Sequence, residues 1–433
     1  MNNFQTILIT IFIAGAVLAV LIFSGVINIG GNKSSSVSGN VVIWGTFNSD
    51  ELSSVFQKVK ENTKDAITVD YVQKDKDTYQ TDLIEAFAKD KAPDLFIISP
   101  DMIIKNASFI YKIPYESLSE KSFKDTYIDG ADIYLSSSGI IGLPIIVDPM
   151  IMYYNKNMFS NEGLVSVPVY WEDLFTISDK LTKKENNGNI KESMIALGEF
   201  DNINNAKNIL ATLLLQTGND IIKRTESGYT SILLDNTLSL SDRPIDSVMS
   251  FFTEFSNSSL PAYSWNKTLP NSFDFFIEDK LAIYLGYASE LFKIENENPN
   301  LSFDVANVPQ AKGMNNKRTF GNIYAIVVSK KSSNISAAFT VAGLLSSGDV
   351  ASDLSKALSL PPTTRSLLSS KPQESYLETF FNGAIISRSW LDPELSGSDL
   401  IFSEMINNIN SNAMDVGNAA KKANSQLNLL INK

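Results

Sequence analysis

Between residues 41 and 99 the sequence alternates strand patterns with helical patterns, and this alternation restricts the possible fold more than any other feature. Apolar runs typical of buried strands lie at 41–47 and 94–99, and residues 67–72 alternate between apolar and polar side chains as a strand does. The segments between them carry apolar residues at helical spacing, and Asn48 or Ser49 is placed to cap the first helix. Strands and helices that alternate at this spacing indicate a parallel sheet covered by helices on both faces. The sequence therefore predicts an α/β fold.

Farther along, residues 140–154 form a long apolar segment that contains Asp148-Pro149. A single strand of that length is unusual, so we expect two strands that meet at a break and pass between two lobes. The region from 163 to 260 has a mostly helical pattern. Later patterns predict strands at 281–287, 301–308 and 323–329, a helix at 337–345, and a long helix or helix pair at 400–431.

The chain contains no His and no Cys, and this removes whole classes of chemistry. Imidazole bases, Ser-His-Asp triads, thiol nucleophiles, disulfides and lipid-modified cysteines all need one of these residues. The 36 basic and 48 acidic residues give a net charge of −12. An acidic surface repels phosphate, so we expect no nucleic-acid partner. Nucleotide-binding glycine motifs and the GxSxG motif are absent. We therefore predict a protein without cofactor or metal.

Two residues have patterns that allow either a structural or a functional role. Trp44 ends the first predicted strand, where ligands bind in doubly wound sheets, so it either stacks on a ligand or packs in the core. Asp148 lies between apolar strand segments and is either a turn or capping residue or part of a polar site. A carboxylate pair for glycoside hydrolysis is not identified by the sequence.

The N-terminus carries a long apolar run. Ile7 to Asn28 contain 22 residues without a charge, which as a helix span about 33 Å, enough for the hydrocarbon core of a bilayer. Residues 1–6 carry no Lys or Arg, and no small-x-small cleavage site follows. We expect a transmembrane anchor at 7–28, with a cleaved signal peptide as the alternative, followed by a flexible Gly/Ser linker at 29–39.

Several stretches in order resemble a known family. They are VVIWGTF…PDLFIISPD (41–101), GLPIIVDPMIMYYNK…YWEDL (142–174), LAIYLGYASEL (281–291) and GNIYAIVVSKK…VAGLL (321–345). The chain resembles, over roughly 40–433, the extracellular solute-binding proteins of family 1, which are the sugar-binding components of ABC importers and include maltose-binding proteins.

This resemblance implies the type II periplasmic-binding-protein fold, in which two discontinuous lobes close on a ligand in the cleft between them. We expect lobe one at 40–147 plus 315–365, and lobe two at 149–310 plus 370–433. The resemblance also implies a set of ligand-binding residues. Trp44 and Tyr287 match stacking aromatics, Asp101 a hydroxyl acceptor, and Asp148 a polar residue at the first crossing; Glu199 and Trp390 lie in regions that reach the cleft in many members. We expect Gly286 to allow a backbone turn before Tyr287.

The leading hypothesis is a membrane-tethered, monomeric, extracytoplasmic binding protein, not an enzyme. It would capture a solute, with a sugar as the favoured class, and deliver it to an ABC permease. Stacking aromatics are fewer than in strong oligosaccharide binders. One alternative is a binding protein that serves a sensor or surface attachment without transport. Another, less favoured, is an extracytoplasmic glycan hydrolase.

Overall fold

A computed structural model describes residues 37–226, 228–236, 242–314 and 317–432. The predicted anchor at 7–28 lies outside these residues, as does most of the linker. The described chain divides into two compact units. Unit one contains the described residues up to Val147 and Asn322–Lys371, and unit two contains Asp148–Gly321 and the described part of Pro372–Lys433. The expected transmembrane helix is not shown. No single helix among the described residues is long and apolar enough to span a membrane. The helices Ile335–Ser346 and Gly348–Leu358, which are bent relative to each other, together have the length and apolar composition of a span.

Unit one is an α/β unit built on parallel strands. Its elements up to the first crossing are β1 (Gly39–Gly45), α1 (Ser49–Asn62), β2 (Ile67–Gln73), α2 (Tyr79–Ala88), β3 (Leu95–Ile98), α3 (Ile103–Asn106), β4 (Ile110–Tyr111), α4 (Glu120–Thr126), β5 (Leu135–Ser136) and β6 (Gly139–Ile140). Short 3₁₀ turns occupy Pro100–Met102 and Asp129–Tyr134. The chain returns for α11 (Ile335–Ser346), α12 (Gly348–Leu358) and α13 (Arg365–Leu368).

The first three strands of unit one have the predicted parallel arrangement. β1 lies between β2 and β3, with Trp44 opposite Val72 on one side and Phe96 on the other. The Asn48 side chain accepts the Asp50 backbone N–H and caps α1, as the sequence predicted. The apolar face of α1 is buried, because Leu52, Val55 and Val59 recur at helical spacing. The carboxyl ends of β1 and β3 consequently lie side by side.

Two long strands carry the chain across the unit boundary. They are β7 (Leu143–Asn155) and β14 (Thr319–Ser329). The predicted break at Asp148-Pro149 is wrong, because β7 is one continuous strand of 13 residues. Its pairing with β12 begins at Met150, opposite Tyr287, so the missing N–H of Pro149 falls outside that ladder.

The remaining elements belong to unit two. They are α5 (Lys156–Asn161), α6 (Asp173–Leu181), β8 (Lys183–Lys184), β9 (Ile190–Ile195), α7 (Ala206–Gln216), β10 (Ile222–Thr225), β11 (Gly228–Ser231), α8 (Pro244–Glu254), α9 (Ser272–Ile277), β12 (Leu281–Tyr287), α10 (Leu291–Glu297), β13 (Phe303–Asn307), α14 (Ser375–Ile385), β15 (Ser387–Arg388), α15 (Leu395–Asn410) and α16 (Val416–Ile431). A 3₁₀ turn at Ala288–Glu290 follows β12.

Unit two is built around β12, every residue of which is buried. β12 is antiparallel to β7 and parallel to β9, and β13 adds to the other side of β7. The mostly helical prediction for 163–260 is wrong in part, because β8 to β11 lie there. The sequence of β9, IKESMI, has no clean strand alternation, and its position beside β12 outweighs its weak local preference. The predicted terminal helix pair is confirmed as α15 and α16.

Candidate functional site

In unit one, Trp44 lies at the carboxyl end of β1 and its side chain is half-buried. The Tyr79 hydroxyl ties the strand ends together, since it lies 3.0 Å from the Trp44 carbonyl oxygen and 2.9 Å from that of Ile97. The pKa of the Tyr79 hydroxyl is raised well above its usual value, mainly by burial, so this hydroxyl stays protonated and can donate. Trp44 is thus a partly accessible indole on a fixed backbone.

A lysine covers one face of this indole. Lys74 follows β2, and its Nζ lies 3.8 Å from the centroid of the Trp44 ring, within range of a cation–π contact. The same Nζ lies 3.0 Å from Asp82 Oδ2, which holds the ammonium in place. A ligand that stacks on Trp44 must therefore use the opposite face of the ring or displace Lys74.

Asp101 lies three residues after Ile98, the last residue of β3. It occupies the 3₁₀ turn Pro100–Met102 and is half-buried. The Ser99 hydroxyl donates to Asp101 Oδ1 at 2.5 Å. Two further half-buried aromatic rings, Phe47 and Tyr324, meet edge to face with centroids 5.1 Å apart. The carboxyl ends of β1 and β3 therefore carry an indole and a carboxylate on one edge of the sheet in unit one.

In unit two, Asp148 is only 4% exposed. Its carboxylate accepts two hydrogen bonds from one residue: the Ser289 backbone N–H at 3.0 Å and the Ser289 hydroxyl at 2.6 Å. Ser289 itself is exposed. These charge-assisted bonds join the start of the unit-two part of β7 to the turn after β12, which brings Asp148 close to the end of the strand that carries Tyr287.

Tyr287 ends β12 and is 9% exposed. Its hydroxyl accepts a hydrogen bond from Asn208 Nδ2 at 2.5 Å, and its backbone N–H donates to Glu290 Oε1 at 2.9 Å. Its ring meets that of Phe320 edge to face at 6.2 Å. The local backbone and the Tyr287 side chain are therefore both held by polar partners.

The predicted reason for Gly286 is wrong. This glycine lies inside the extended strand β12 and does not have a positive φ. A Cβ on Gly286 would instead lie 2.5 Å from Tyr284 Cε1 and 3.1 Å from Glu290 Oε2. The glycine makes room for the Tyr284 hydroxyl to donate to that same Glu290 oxygen at 2.5 Å. Close approach, rather than a turn, requires a glycine here.

Negatively charged side chains surround the buried hydroxyl of Tyr153, next to Tyr287. The buried Tyr153 hydroxyl donates to the Tyr287 carbonyl oxygen at 2.7 Å. Its pKa is raised well above its usual value, first by burial and then by the negative charges of Glu290, Asp148 and Glu295. Tyr153 therefore remains protonated at neutral pH, and three acidic side chains act on one buried hydroxyl.

The other two predicted site residues, Glu199 and Trp390, both contact α15. Glu199 is half-buried and lies 3.2 Å from Asn410 Nδ2. Burial, as the largest cause, raises the pKa of Glu199 above its usual value of 4.5. Trp390 is 4% exposed and its ring meets Phe402 edge to face at 6.1 Å. The structure thus groups Glu199 and Trp390 around one helix, and it groups Asp148 with Tyr287.

A buried ion pair connects α7 with the segment after Trp390. Lys207 Nζ lies 2.8 Å from Asp392 Oδ2, and both side chains are 5% exposed. The ammonium also donates to Ser398 Oγ at 2.8 Å and to the Leu395 carbonyl oxygen at 3.1 Å. Because its donors are satisfied, the buried charge of Lys207 fixes the start of α7 against the start of α15.

Sequence reasoning missed several polar residues of this region. Glu290 follows Tyr287 by three residues, and its carboxylate accepts the Tyr287 backbone N–H at 2.9 Å, as the glutamate of a capping box does. Lys74 follows the strand that neighbours Trp44, so the parallel-sheet rule that located Trp44 could also have located it. For Asn205, Asn208 and Lys207 we find no comparable sequence signal. Among the described residues, no group of acidic side chains is arranged to hold a metal ion.

The sequence of this chain matches one known protein family over most of its length. The family described as bacterial extracellular solute-binding protein matches residues 48–347. No curated protein sequence matches the chain.

Solved structures with the same fold are numerous. A cyclo/maltodextrin-binding protein complexed with maltotetraose has a TM-score of 0.70 and 16% identity, covering 91% of this chain and 98% of its own. The cyclic α-maltosyl-1,6-maltose binding protein from Arthrobacter globiformis has a TM-score of 0.74 and 14% identity, covering 91% and 99%. The sugar-binding protein MalE from Xanthomonas citri has a TM-score of 0.71 and 16% identity, covering 91% and 98%. These similarities show the two-lobed α/β fold of periplasmic-binding proteins.

Proposed function

The chain belongs to the bacterial extracellular solute-binding proteins, and from that premise we propose that it captures a sugar or oligosaccharide outside the cytoplasm for an ABC importer. The family consists of solute-binding proteins, not enzymes, which agrees with the prediction for this chain. Each unit has a proposed binding region, which contains Trp44 and Asp101 in unit one and Asp148 and Tyr287 in unit two. A sugar needs an apolar ring face for its C–H groups and acceptors for its hydroxyls.

The half-buried Trp44 is the observation that carries this proposal. The core of unit one does not require the Trp44 indole at the carboxyl end of β1 to be accessible. An accessible indole at this position can stack against the apolar face of a sugar ring. The structural neighbours described above include a complex with maltotetraose and a cyclic α-maltosyl-1,6-maltose binding protein. These ligands support a sugar as the class of solute.

The test is a ligand screen on the full chain. Thermal unfolding would be followed with maltotetraose, maltotriose, mannotriose and tagatose, and hits would be measured by calorimetry. A ligand at 100 times its dissociation constant stabilises the folded state by about 2.7 kcal/mol, which raises the melting temperature measurably. Absence of any shift with a broad sugar panel, together with a shift from an amino acid or a peptide, would refute the sugar assignment.

Transport and sensing use the same binding site, so they need a different experiment. We propose transport because the family that the sequence resembles supplies the sugar-binding components of ABC importers. Deletion of the gene should reduce uptake of the radiolabelled solute while expression of solute-responsive genes stays inducible. The opposite pattern would favour the sensor. A glycan-turnover assay on the same panel tests the hydrolase alternative.

We propose that residues 7–28 tether the protein to the cell membrane by a single span and leave the binding units on the extracytoplasmic side as a monomer. The charge-free run of 22 residues and the Gly/Ser linker support this proposal. Mass spectrometry of the native N-terminus tests it. A mature terminus near residues 29–40 would show that the segment is a cleaved signal. Light scattering of the detergent-purified protein measures its molar mass and so tests whether it is a monomer of 47.7 kDa.

A further inference from the structure

The two predicted site residues of unit two lie beneath the surface. Asp148 is 4% exposed and Tyr287 is 9% exposed. Side chains this buried have little area to offer a ligand. Three neighbouring polar side chains are more accessible: Ser289 is exposed, and Asn205 and Asn208 are half-buried. These three residues are therefore the ones that a ligand can reach.

Each accessible side chain is held by a partner beneath it. The Ser289 hydroxyl donates to Asp148 Oδ2 at 2.6 Å. The Asn208 amide donates to the Tyr287 hydroxyl oxygen at 2.5 Å. In the third pair, the Asn205 amide donates to Glu290 Oε1 at 2.9 Å. Each outer residue is thus oriented by an inward hydrogen bond in which it is the donor.

This pattern determines the chemistry of the outer surface. When the Ser289 hydroxyl gives its hydrogen to Asp148, its oxygen keeps lone pairs for an incoming donor. When Asn208 and Asn205 direct their amide nitrogens inward, their Oδ1 atoms serve as acceptors. The outer row therefore offers mainly acceptors, with the carboxylates of Asp148 and Glu290 behind it. Ligand hydroxyls can donate to such a row, whereas a ligand carboxylate or phosphate supplies no donor and is repelled by the charges behind.

The row is also mechanically fixed. Lys207 lies in α7 between Asn205 and Asn208, and its ion pair with Asp392 at 2.8 Å is buried. Asn205 has a left-handed backbone with φ of 60°, which sets the direction in which α7 begins. Side chains held in this way lose less conformational freedom when a ligand binds.

We propose that Ser289, Asn205 and Asn208 are the ligand-contacting residues of unit two, that Asp148, Tyr287 and Glu290 are positioning residues behind them, and that this acceptor row selects neutral polyhydroxyl ligands over anionic ones. The inference rests on the proposed function, because it specifies which residues contact the sugar and which sugars fit. It assigns the outer contacts to three residues that the strand-end pattern does not indicate.

The experiment uses the full chain and two probes of equal length, maltotetraose and tetragalacturonate. Calorimetry would measure both affinities for the wild type, Ser289→Ala, Asn208→Ala and the matched control Asn407→Ala, an exposed asparagine of α15. We expect each of the first two variants to bind maltotetraose about tenfold more weakly, which corresponds to about 1.4 kcal/mol. Each of these two variants also loses one inward hydrogen bond, so the urea midpoint of the ligand-free protein should fall slightly, whereas the control should keep both its midpoint and its affinity.

A double-mutant cycle separates contact from positioning. Asp148→Asn should weaken binding in the wild type but have little further effect in Ser289→Ala, because the two residues act through one contact. Affinity is taken per folded molecule, so a less stable variant still gives an answer. Unchanged affinity in both Ser289→Ala and Asn208→Ala, or tighter binding of tetragalacturonate than of maltotetraose, would overturn the inference. If wild type bound neither these nor any other sugar, the proposed function itself would fail, and this inference would fail with it.

Discussion

The predicted site residues of the two units differ in how they are held. In unit one, Trp44 and Asp101 are half-buried, and the indole is held by one cation whose Nζ lies 3.8 Å away. In unit two, Asp148 and Tyr287 are buried within a network of hydrogen bonds. Trp44 and Tyr287 both lie at the ends of strands, yet only the Trp44 side chain is partly accessible, so a strand-end position does not decide whether a residue reaches the surface. The turn after β12 covers the strand end in unit two.

The two lysines near these regions should show the largest contrast. Lys207→Met leaves Asp392 as a buried carboxylate without its cation, and we expect a loss of about 3–5 kcal/mol in the free energy of unfolding. Lys74→Met removes a cation–π contact and a partly exposed ion pair, which should cost about 0.5–1 kcal/mol. Urea unfolding of the ligand-free proteins measures both.

The matched control for Lys207 is Lys422→Met, which removes a more exposed pair between α15 and α16. Its cost should be no more than about 1 kcal/mol. Equal destabilisation by Lys207→Met and Lys422→Met would contradict the claim that unit two depends on a buried charge. The double variant Lys207→Met with Asp392→Leu should recover part of the loss, because no buried charge is then left unpaired; Asp399, whose carboxylate lies 3.0 Å from Lys207 Nζ, is half exposed.

Trp44→Ala tests whether the half-buried Trp44 indole contacts a ligand or packs in the core. We expect it to weaken binding of a sugar found in the screen by about 1–3 kcal/mol, the range for an aromatic anchor in a desolvated contact. The ligand-free protein should lose little stability. Trp265 is the matched reference because it is completely buried, and Trp265→Ala should cost about 3–5 kcal/mol of stability. If Trp44→Ala destabilised the ligand-free protein as much as Trp265→Ala and left affinity unchanged, Trp44 would be a core residue.

Tyr287→Phe should have a smaller effect. It removes the hydroxyl that accepts from Asn208 at 2.5 Å and keeps the ring against Phe320. We expect a loss of about 0.5–1.5 kcal/mol in the free energy of unfolding, the usual net value of one hydrogen bond. Tyr284→Phe is a suitable companion, since its hydroxyl donates to a carboxylate and its removal should cost more. The reverse order would show that Glu290 is not the centre of the network.

Much of the fold could be predicted because local pattern and tertiary position agree. The run LAIYLGY predicted a strand at 281–287, and β12 has the same bounds. Its length, apolar character and flanking residues all indicate a buried strand, and its burial on both faces is what a central strand requires. β9 could not be predicted in the same way. Its sequence contains Lys, Glu and Ser, and only the neighbouring β12 makes it a strand.

The candidate site was less predictable, for a reason visible in Ser289. Its two bonds to Asp148 join residues 141 positions apart in the chain, and no local pattern reports such a contact. Asn208 likewise reaches Tyr287 across 79 positions. The family resemblance indicated Asp148 and Tyr287, which lie in strands, whereas the outer residues come from a turn and a helix that only folding brings to the same region.

The smallest expected effect concerns Glu199 and the pH dependence of stability. Burial raises the pKa of Glu199 above 4.5 in the folded protein, opposed in part by the hydrogen bond from Asn410. The folded state therefore holds this proton to higher pH than the unfolded state does. Stability attributable to this group is greatest below 4.5 and falls as pH rises through the folded-state pKa. In Glu199→Gln that decline disappears, so the variant should gain stability relative to wild type between pH 4 and pH 7.

Because Glu199 is only half-buried, screening by solvent should keep this gain below about 1 kcal/mol. Glu404 of α15 gives a control of opposite sign. Hydrogen bonds from Lys422 and Gln426 lower its pKa, so its contribution is present above the unfolded-state value and is lost as pH falls. Glu404→Gln should therefore lose stability relative to wild type as pH rises over the same range. Urea unfolding at several pH values measures how the stability of each variant relative to wild type changes with pH. If both variants changed in the same direction, the pKa of Glu199 would not be raised in the folded protein, because a raised and a lowered carboxyl pKa give opposite signs.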